Sequence, residues 1–436
     1  MNPARSEPDR PGEGRAAAPG VLDPASPAAR ALAWQGAAAP RGVAVLGSSG
    51  TVGLGALDIV RANPEAFRVV ALAAGRRMQV LAEQVREFRP LRVAVADDAA
   101  RDELAGLTDL PRPAILAGPD ALAECAAAPA DVVLNAVTGA AGLPATLGAI
   151  GAGRALALAN KESLVLAGEL VFSRARDTGT PILPVDSEHA GLFQCLAGLG
   201  AGGARDVRRF ILTASGGPLL RRADWADATP EEVLAHPIWK MGARITVDSS
   251  LLLNKGFEVI EAHWLFGAPL AAVDVVVHPQ AIVHALVETV DHSLLAQLSL
   301  PDMKLPIQLA LAWPARLPAP LPALDLAAAG RLDFLPLTPG RFPAYDLVRR
   351  AAERGGTAPA LVNAADEVAV QAFLEGAIRL GEVPEVIAEV LDTCPVEPAT
   401  SLGAISQADR AGREAAVAWL RRRGVALPVA GRDGGR

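Results

Sequence analysis

Val43-Ala-Val-Leu-Gly-Ser-Ser-Gly-Thr-Val-Gly53 decides the fold: a short apolar run enters a turn with glycine at 47, 50 and 53, and a helix-forming stretch follows to about Val60. Glycines placed there let backbone N–H groups approach a pyrophosphate at a helix N-terminus, where the helix dipole favours anions. The triplet alone also fits a plain turn; its position between strand and helix, at the start of a domain, gives it weight. The next apolar run, Phe67–Ala73, ends in Ala74-Gly75-Arg76-Arg77. A site for NAD places an acid there to bind the ribose hydroxyls, whereas two guanidiniums suit a 2′-phosphate, so the expected cofactor is NADP(H), with a solvated Arg pair as the plainer alternative. Outward from this unit, Val80–Phe88 reads as helix, and Leu91–Ala96, Asp131–Leu134, Ala155–Leu158 and Pro181–Val185 read as strands. Strands alternating with helices imply an α/β fold with a parallel, Rossmann-like sheet covered on both faces.

The chain has 436 residues and a net charge of −7, with 51% apolar and 20% charged residues. That is a globular composition, and an acidic one opposes binding to nucleic acid or an anionic membrane surface. Any anionic ligand must therefore be held by local cations. Four of the 41 basic residues are lysine, at 161, 240, 255 and 304, and arginine supplies the rest. A compact ammonium and a planar guanidinium do not exchange freely in a tight site, which draws attention to these four. Cys125, Cys195 and Cys394 are far apart with no paired spacing, which excludes a thiolate zinc cage and suits a reducing, cytoplasmic setting. The longest uncharged stretch, Val132–Gly153, holds five glycines and Pro144, so it reads as strand, loop and helix rather than a membrane span. Residues 1–40 are rich in Pro, Ala and Gly without a continuous apolar core, and are expected to be a disordered extension or to follow from a misassigned start.

Beyond residue 186 the texture changes to longer loops with a second group of strands, at 273–277, 282–287 and 294–298. The expected domains are 41–186 for the dinucleotide and 187–312 for metal and substrate, with a flexible loop at about 232–243. A Pro-rich linker over 313–343, a helical domain over 344–422 and a tail over 423–436 complete the chain. In Pro184-Val-Asp186-Ser187-Glu188-His189 the two acids are i, i+2 in an extended reading and point the same way, so a divalent, oxygen-loving ion is their natural partner. A solvated loop end is the plainer alternative. In Ser249-Ser-Leu-Leu-Leu-Asn254-Lys255-Gly-Phe-Glu258, Asn254 and Glu258 share a helix face and Lys255 lies three residues from Glu258. A surface ion pair fits badly beside Leu251, Leu252 and Leu253, so this group reads as ligand-binding. Thr213-Ala-Ser215-Gly-Gly-Pro218 offers N–H groups and a hydroxyl to an oxyanion, though a tight turn explains it equally. His236-Pro-Ile-Trp239-Lys-Met241-Gly242 has the make-up of a flap, and a loop with core anchors explains it equally.

Taken together these segments resemble the 1-deoxy-D-xylulose 5-phosphate reductoisomerases. The likeness runs through GSSGTVG at 47–53, LANKESLV at 158–165, LPVDSEH at 183–189, TASGGP at 213–218, HPIWKMG at 236–242 and VDSSLLLNKGFEVIEAHWLF at 247–266. It continues through HPQAIVHALV at 278–287, PDMKLPI at 301–307 and LVNAADEVAVQAFL at 361–374. It covers about residues 42–420. It implies an NADPH domain, a central α+β catalytic domain with a mobile loop, a C-terminal helical domain and a homodimer. It also implies roles. Asp186, Glu188 and Glu258 match ligands of a single Mg²⁺ or Mn²⁺, and Lys161 and Ser187 match residues at the reacting end. Ser215, Ser249, Asn254 and Lys255 match the pocket for the substrate phosphate and a neighbouring hydroxyl, with His236 closing over it and Trp239 and Met241 in the lid. Ser49, Gly50, Thr51, Val52, Gly75, Arg76, Arg77, Asn160, Glu162 and Gly242 match cofactor contacts. The sequence departs from the pattern at Arg77, often Asn; at Leu219, commonly Phe; and at Asp366, usually Asn. The implied reaction rearranges and reduces a five-carbon keto sugar phosphate to 2-C-methyl-D-erythritol 4-phosphate, in the non-mevalonate isoprenoid pathway. Two other readings stay open: an NADP-dependent dehydrogenase of another phosphorylated substrate, and a non-catalytic NADP-binding protein.

Overall fold

The computed structural model describes residues 22–108, 114–200, 203–235, 237–239, 242–318, 321–338 and 340–425. Its first element is α1 (Pro27–Ala33), capped by the Ser26 hydroxyl accepting from the Ala29 N–H, with Pro27 at the first helical position. The expectation of a disordered extension therefore does not hold over 22–40; residues 1–21 lie outside the described residues. The reason is tertiary. Leu22, Ala28 and Ala31 are buried, the Trp313 indole N–H donates to the Ala31 carbonyl at 2.7 Å, and the Asp23 N–H donates to the Phe266 carbonyl at 3.0 Å. None of these partners lies near in sequence, so local composition could not announce them.

The dinucleotide half alternates strictly: β1 (Arg41–Leu46), α2 (Thr51–Ala62), β2 (Phe67–Ala73), α3 (Met78–Phe88), β3 (Arg92–Val95), α4 (Asp98–Leu107), β4 (Ala114–Ala117) and α5 (Ala121–Ala126). It goes on through β5 (Val132–Asn135), α6 (Leu143–Gly151), β6 (Ala155–Leu158), α7 (Glu162–Thr178) and β7 (Ile182–Pro184). The seven strands are parallel, in the order β4-β3-β2-β1-β5-β6-β7. Every residue of β1 is buried, as a central strand covered on both faces requires. The order reverses at β1, so the crevice between the carboxyl ends of β1 and β5 is where this architecture binds ligands.

The second half holds α8 (Ser187–Gly198), β8 (Val207–Ala214), α9 (Pro230–Leu234), α10 (Ala243–Ser250), α11 (Leu253–Phe266), β9 (Val273–Val277), β10 (Val283–Thr289), β11 (Leu294–Leu298) and α12 (Lys304–Ala312). Then come α13 (Leu326–Ala329) and β12 (Leu335–Pro336). The strands form a mixed sheet in the order β11-β10-β8-β9-β12. Here β8 and β9 run parallel and the other neighbours antiparallel. Part of the stretch read as linker is thus an edge strand, where Pro336 is tolerated because an edge leaves donors unneeded. A helical layer, α14 (Pro343–Arg354), α15 (Ala358–Leu374), α16 (Glu382–Thr393) and α17 (Leu402–Arg422), closes the molecule around a buried α15.

Two glycines set how closely the layers meet. A Cβ on Gly168 would overlap the Trp264 ring, so α7 lies directly on α11. A Cβ on Gly256 would come within 2.7 Å of Val348, which does the same for α11 and α14. The first approach carries Lys161, at the start of α7, to the start of α11.

Candidate active site

Three carboxylates converge where β7, α8 and α11 meet. Asp186 is the N-cap of α8 and Glu188 sits in its first turn. The two acids therefore converge around a helix start rather than along an extended segment. Glu258 arrives from α11, which begins after Leu252 in the left-handed region at φ 53°. That turn separates α10 from α11 and aims the first turn of α11 at Asp186. One oxygen from each of Asp186, Glu188 and Glu258 lies within 4.8 Å of the others.

Two of the four lysines supply the opposing charge. Lys161 Nζ lies 2.5 Å from Asp186 Oδ2 and 3.0 Å from Glu258 Oε1, and donates to Asn254 Oδ1 at 2.9 Å. Lys255 Nζ donates to Glu188 Oε1 at 2.7 Å and also pairs with Glu258. The Ser187 hydroxyl donates to Glu188 Oε2 at 2.6 Å. Three acids face two ammoniums, and the excess negative charge is relieved at Glu258, the carboxyl that holds a proton most readily. Burial first, then the Glu188 charge, pushes its carboxyl up to about 7. Burial acts on Asp186 too, but Lys161 and His189 outweigh it and hold that carboxyl below the usual range. Burial opposes the charge on Lys161, yet Asp186 and Glu258 keep its ammonium protonated well above the ordinary lysine value.

The donor set fits a hard divalent ion. The candidate ligands are all carboxylate oxygens, and Asp186 Oδ2 and Glu258 Oε2 are buried with no hydrogen bond of good geometry, only a neighbouring ammonium.

At the dinucleotide end, Gly47 has φ 84° and a Cβ there would stand 2.5 Å from the Ala136 carbonyl oxygen, across the β1–β5 crevice. A Cβ on Gly53 would strike the Gly47 carbonyl oxygen, so α2 starts flush against the turn. Gly50 is the N-cap, without a side chain to occupy the N–H groups of Thr51 and Val52. Arg77 donates to the Ser49 carbonyl at 3.0 Å, which draws one guanidinium across the turn. Gly75 has open space where a Cβ would stand. Asn160 and Glu162 shape the opposite wall: the Asn160 amide donates to the carbonyls of Val137 and Gly139 at 2.7 and 2.9 Å, and Glu162 accepts the Gly139 N–H at 3.1 Å.

Between the two ends, a Cβ on Gly217 would lie 2.8 Å from Ser250 Cα, so the Ser215-Gly-Gly turn rests on α10 at Ser249–Ser250. The Ser215 hydroxyl accepts the Gly217 N–H at 3.3 Å. Trp239 is inclined to His284 of β10 at 6.3 Å between ring centres, which sets it over the second sheet. Gly242 is the N-cap of α10. His236, Lys240 and Met241 lie outside the described residues. Lys304 is a surface partner of Asp58 at 3.5 Å.

The structure adds residues that the sequence reading passed over. His189 donates from Nε2 to the Glu258 carbonyl at 2.9 Å, and its Nδ1 faces Glu261 at 3.5 Å and Asp186 at 4.0 Å. Burial pushes this imidazole down to about 4. Helical spacing carried the signal: His189 follows Asp186 by three residues, and Glu261 follows Glu258 by three. Gln84 clamps the glycine turn, accepting from the Ser48 hydroxyl at 2.7 Å and donating to the Ser48 carbonyl at 3.0 Å.

Comparison with known proteins sets this geometry in a family. Models described as 1-deoxy-D-xylulose 5-phosphate reductoisomerase, its C-terminal domain, and DXP reductoisomerase C-terminal domain match residues 43–168, 182–266 and 298–415. The 1-deoxy-D-xylulose 5-phosphate reductoisomerase of Anaeromyxobacter sp. (strain K) is 50% identical over 377 residues, 86% of this chain and 96% of that one. This chain belongs to the 1-deoxy-D-xylulose 5-phosphate reductoisomerase family. The reductoisomerase of Symbiobacterium thermophilum is 48% identical over 381 residues, 86% of this chain and 98% of its own. Among solved reductoisomerases, the Zymomonas mobilis enzyme in complex with NADPH superposes with a TM-score of 0.81 at 40% identity, over 87% of this chain and 99% of that one. A reductoisomerase in complex with NADPH, fosmidomycin and magnesium gives 0.83 at 37% identity, over 88% and 99%. The reductoisomerase fold, a parallel sheet, a second mixed sheet and a helical C-terminal part, is thus the one seen here. Helix α1 lies outside the matched segments, which begin at 43.

Proposed function

We propose that this chain converts 1-deoxy-D-xylulose 5-phosphate to 2-C-methyl-D-erythritol 4-phosphate, with NADPH as hydride donor and a divalent ion as cofactor. The observation that carries the reading is the convergence of Asp186, Glu188 and Glu258 beside Lys161, in a member of the reductoisomerase family. Asp186, Glu188 and Glu258 hold the ion, either Mg²⁺ or Mn²⁺, which when bound supplies Lewis acidity to a substrate carbonyl oxygen. Lys161 keeps Asp186 charged and offers an ammonium to the reacting end, while Ser187 orients Glu188. Ser215, Ser249, Asn254, Lys255 and His236 bind the substrate phosphate and a neighbouring hydroxyl. Lys255 reaches them by exchanging one carboxylate partner for a substrate oxygen.

The pyrophosphate lies on the N–H groups of the Ser49, Gly50, Thr51 and Val52 turn. Gly75, Arg76 and Arg77 receive the adenosine 2′-phosphate. Asn160, Glu162 and Gly242 line the nicotinamide side, and Trp239 and Met241 cover the site when the flap closes and excludes water. Phosphate binding far from the reacting carbons contributes energy to that closure. A homodimer is part of the proposal, supported by the exposed Leu294 on the free edge strand β11 and Val290 in the turn before it. A cytoplasmic setting is supported by three buried, unpaired cysteines; no helix among the described residues is long and apolar enough to cross a membrane.

The test follows NADPH absorbance with 1-deoxy-D-xylulose 5-phosphate, first with Mg²⁺ or Mn²⁺ and then with excess chelator. Metal-dependent consumption, with the branched polyol phosphate as product, is expected. Equal consumption in chelator would favour an ordinary dehydrogenase. No consumption by folded, NADPH-binding protein would favour a non-catalytic role.

A further inference from the structure

Helix α10 begins directly after the flap, and its second residue, Arg244, is the centre of a buried charged group. Arg244 donates to Asp366 Oδ2 at 2.8 Å, to Glu367 Oε1 at 2.8 Å and to Asn363 Oδ1 at 3.0 Å, all on α15. It also lies 3.7 Å from Asp248 on its own helix and 3.8 Å from Glu162 on α7. Glu367 is shared with Arg413 of α17, which is also held by Asp409 at 2.9 Å. On the neighbouring helices, Glu232 of α9 turns to Arg222, and Lys255, Glu258 and Glu261 of α11 face the carboxylate site. Among the described residues that pair with Arg244 and Arg413, acids outnumber cations. Asp248 and Asp366 are both almost wholly buried, and each keeps one oxygen, Oδ1, with no hydrogen-bond partner. The two carboxyls meet at one nitrogen: Arg244 Nε lies 3.2 Å from Asp366 Oδ2 and 3.7 Å from Asp248 Oδ2.

We propose that Asp248 and Asp366 hold one proton between them, and that Asp366 is thereby a positioning residue that fixes Arg244 and the base of the flap to the C-terminal helical layer. Two buried acceptors facing one another repel unless one becomes a donor, and a single shared proton satisfies both. Burial, reinforced by the neighbouring carboxylate, raises the Asp248 carboxyl well above the ordinary range. Burial also raises Asp366, against the pull of Arg244. The device joins three parts of the molecule. Arg244 sits two residues beyond Gly242 and on the helix that carries Ser249. Its neighbour Glu162 holds the Gly139 N–H on the cofactor wall. At alkaline pH the shared proton leaves, the two carboxylates repel, and α10 loosens from α15. The inference rests on the proposed role of residues 236–242 as a flap.

The decisive variants are D366N and D248N. Either amide donates to the remaining carboxylate and so replaces the shared proton with one that does not titrate. Three readouts are expected to agree. In infrared difference spectra at neutral pH, wild type shows the carbonyl stretch of a neutral carboxyl that both single variants lose. Protection of the amides at 242–250, taken as the exchange rate relative to the intrinsic chemical rate at each pH, falls in wild type between neutral and alkaline pH but stays level in the variants. The KM for 1-deoxy-D-xylulose 5-phosphate rises about threefold or more over that range in wild type, at little change in kcat, and stays level in the variants. An infrared spectrum unchanged by D366N, or an alkaline loss of protection at 242–250 retained by it, would overturn the proposal. The first two readouts need no turnover, so a wild type inactive on this substrate would refute the proposed reaction while leaving the shared proton testable.

Discussion

Glu258→Gln separates the charge balance of the active site from its chemistry. Glu258 is 2% exposed, and its carboxyl is raised from 4.5 to about 7 by burial and then by Glu188. The native protein therefore holds a proton that the unfolded chain has released between those values. Stability from that proton is fully present below pH 4.5 and is lost as pH rises to about 7. The difference between the two values corresponds to about 3 kcal/mol. Gln carries no titrating proton, so the variant lacks this fall. Asp186, Glu188, Lys161 and Lys255 then balance two against two. The assay is chemical denaturation in chelator from pH 4.5 to 8, wild type against variant. The slope difference is expected to integrate to about 3 kcal/mol, whatever constant offset the amide introduces beside Lys255. Adding Mg²⁺ at a hundredfold its dissociation constant is expected to stabilise wild type by about 2.7 kcal/mol and the variant far less. Parallel pH profiles in the two proteins would refute the charge reasoning. Equal stabilisation by Mg²⁺ would refute the role of Glu258 in holding the ion.

Three further outcomes follow from the same geometry. Gly47→Ala places a methyl group against the Ala136 carbonyl at a positive φ, and NADPH affinity measured by fluorescence is expected to fall at least about tenfold with the fold retained. Replacing Arg76 and Arg77 together by Ala is expected to lower the preference for NADPH over NADH, as a ratio of kcat/KM, by about tenfold or more. An unchanged ratio would place the 2′-phosphate elsewhere. Removing residues 1–40 strips the partner of the Trp313 indole and uncovers the surface beneath Ala28 and Ala31. A thermal midpoint several degrees lower is expected, against no change if α1 were merely resting on the surface.

Local pattern made the dinucleotide half legible. Gly47, Gly50 and Gly53 read as a turn before a helix, and the structure shows the chain crowding itself at 47, against the Ala136 carbonyl, and at 53, against the Gly47 carbonyl. The carboxylate cluster was legible in pieces, since Asp186 with Glu188 and Asn254 with Glu258 are close in sequence. What sequence could not convey was how the pieces meet. Lys161 lies 97 residues from Glu258, and only the bare backbone of Gly168 against Trp264 lets α7 come close enough to join them. The same holds for α1, whose partners Phe266 and Trp313 lie more than 200 residues away. Lys255 was expected from the resemblance at the substrate phosphate; here it pairs with Glu188 and Glu258, a contact that local spacing revealed only for Glu258. The group around Arg244 was invisible for another reason. Asp248, Asp366 and Glu367 each look like ordinary helix acids until α10, α15 and α17 are packed together.

The central claim is that Asp186, Glu188 and Glu258 hold one divalent ion. The most direct measurement is a Mn²⁺ titration followed by electron paramagnetic resonance, on wild type and on D186N, E188Q and E258Q. One Mn²⁺ per chain is expected in wild type, with binding weakened at least about tenfold in each variant alongside loss of turnover. Undiminished Mn²⁺ binding in all three variants would contradict the claim.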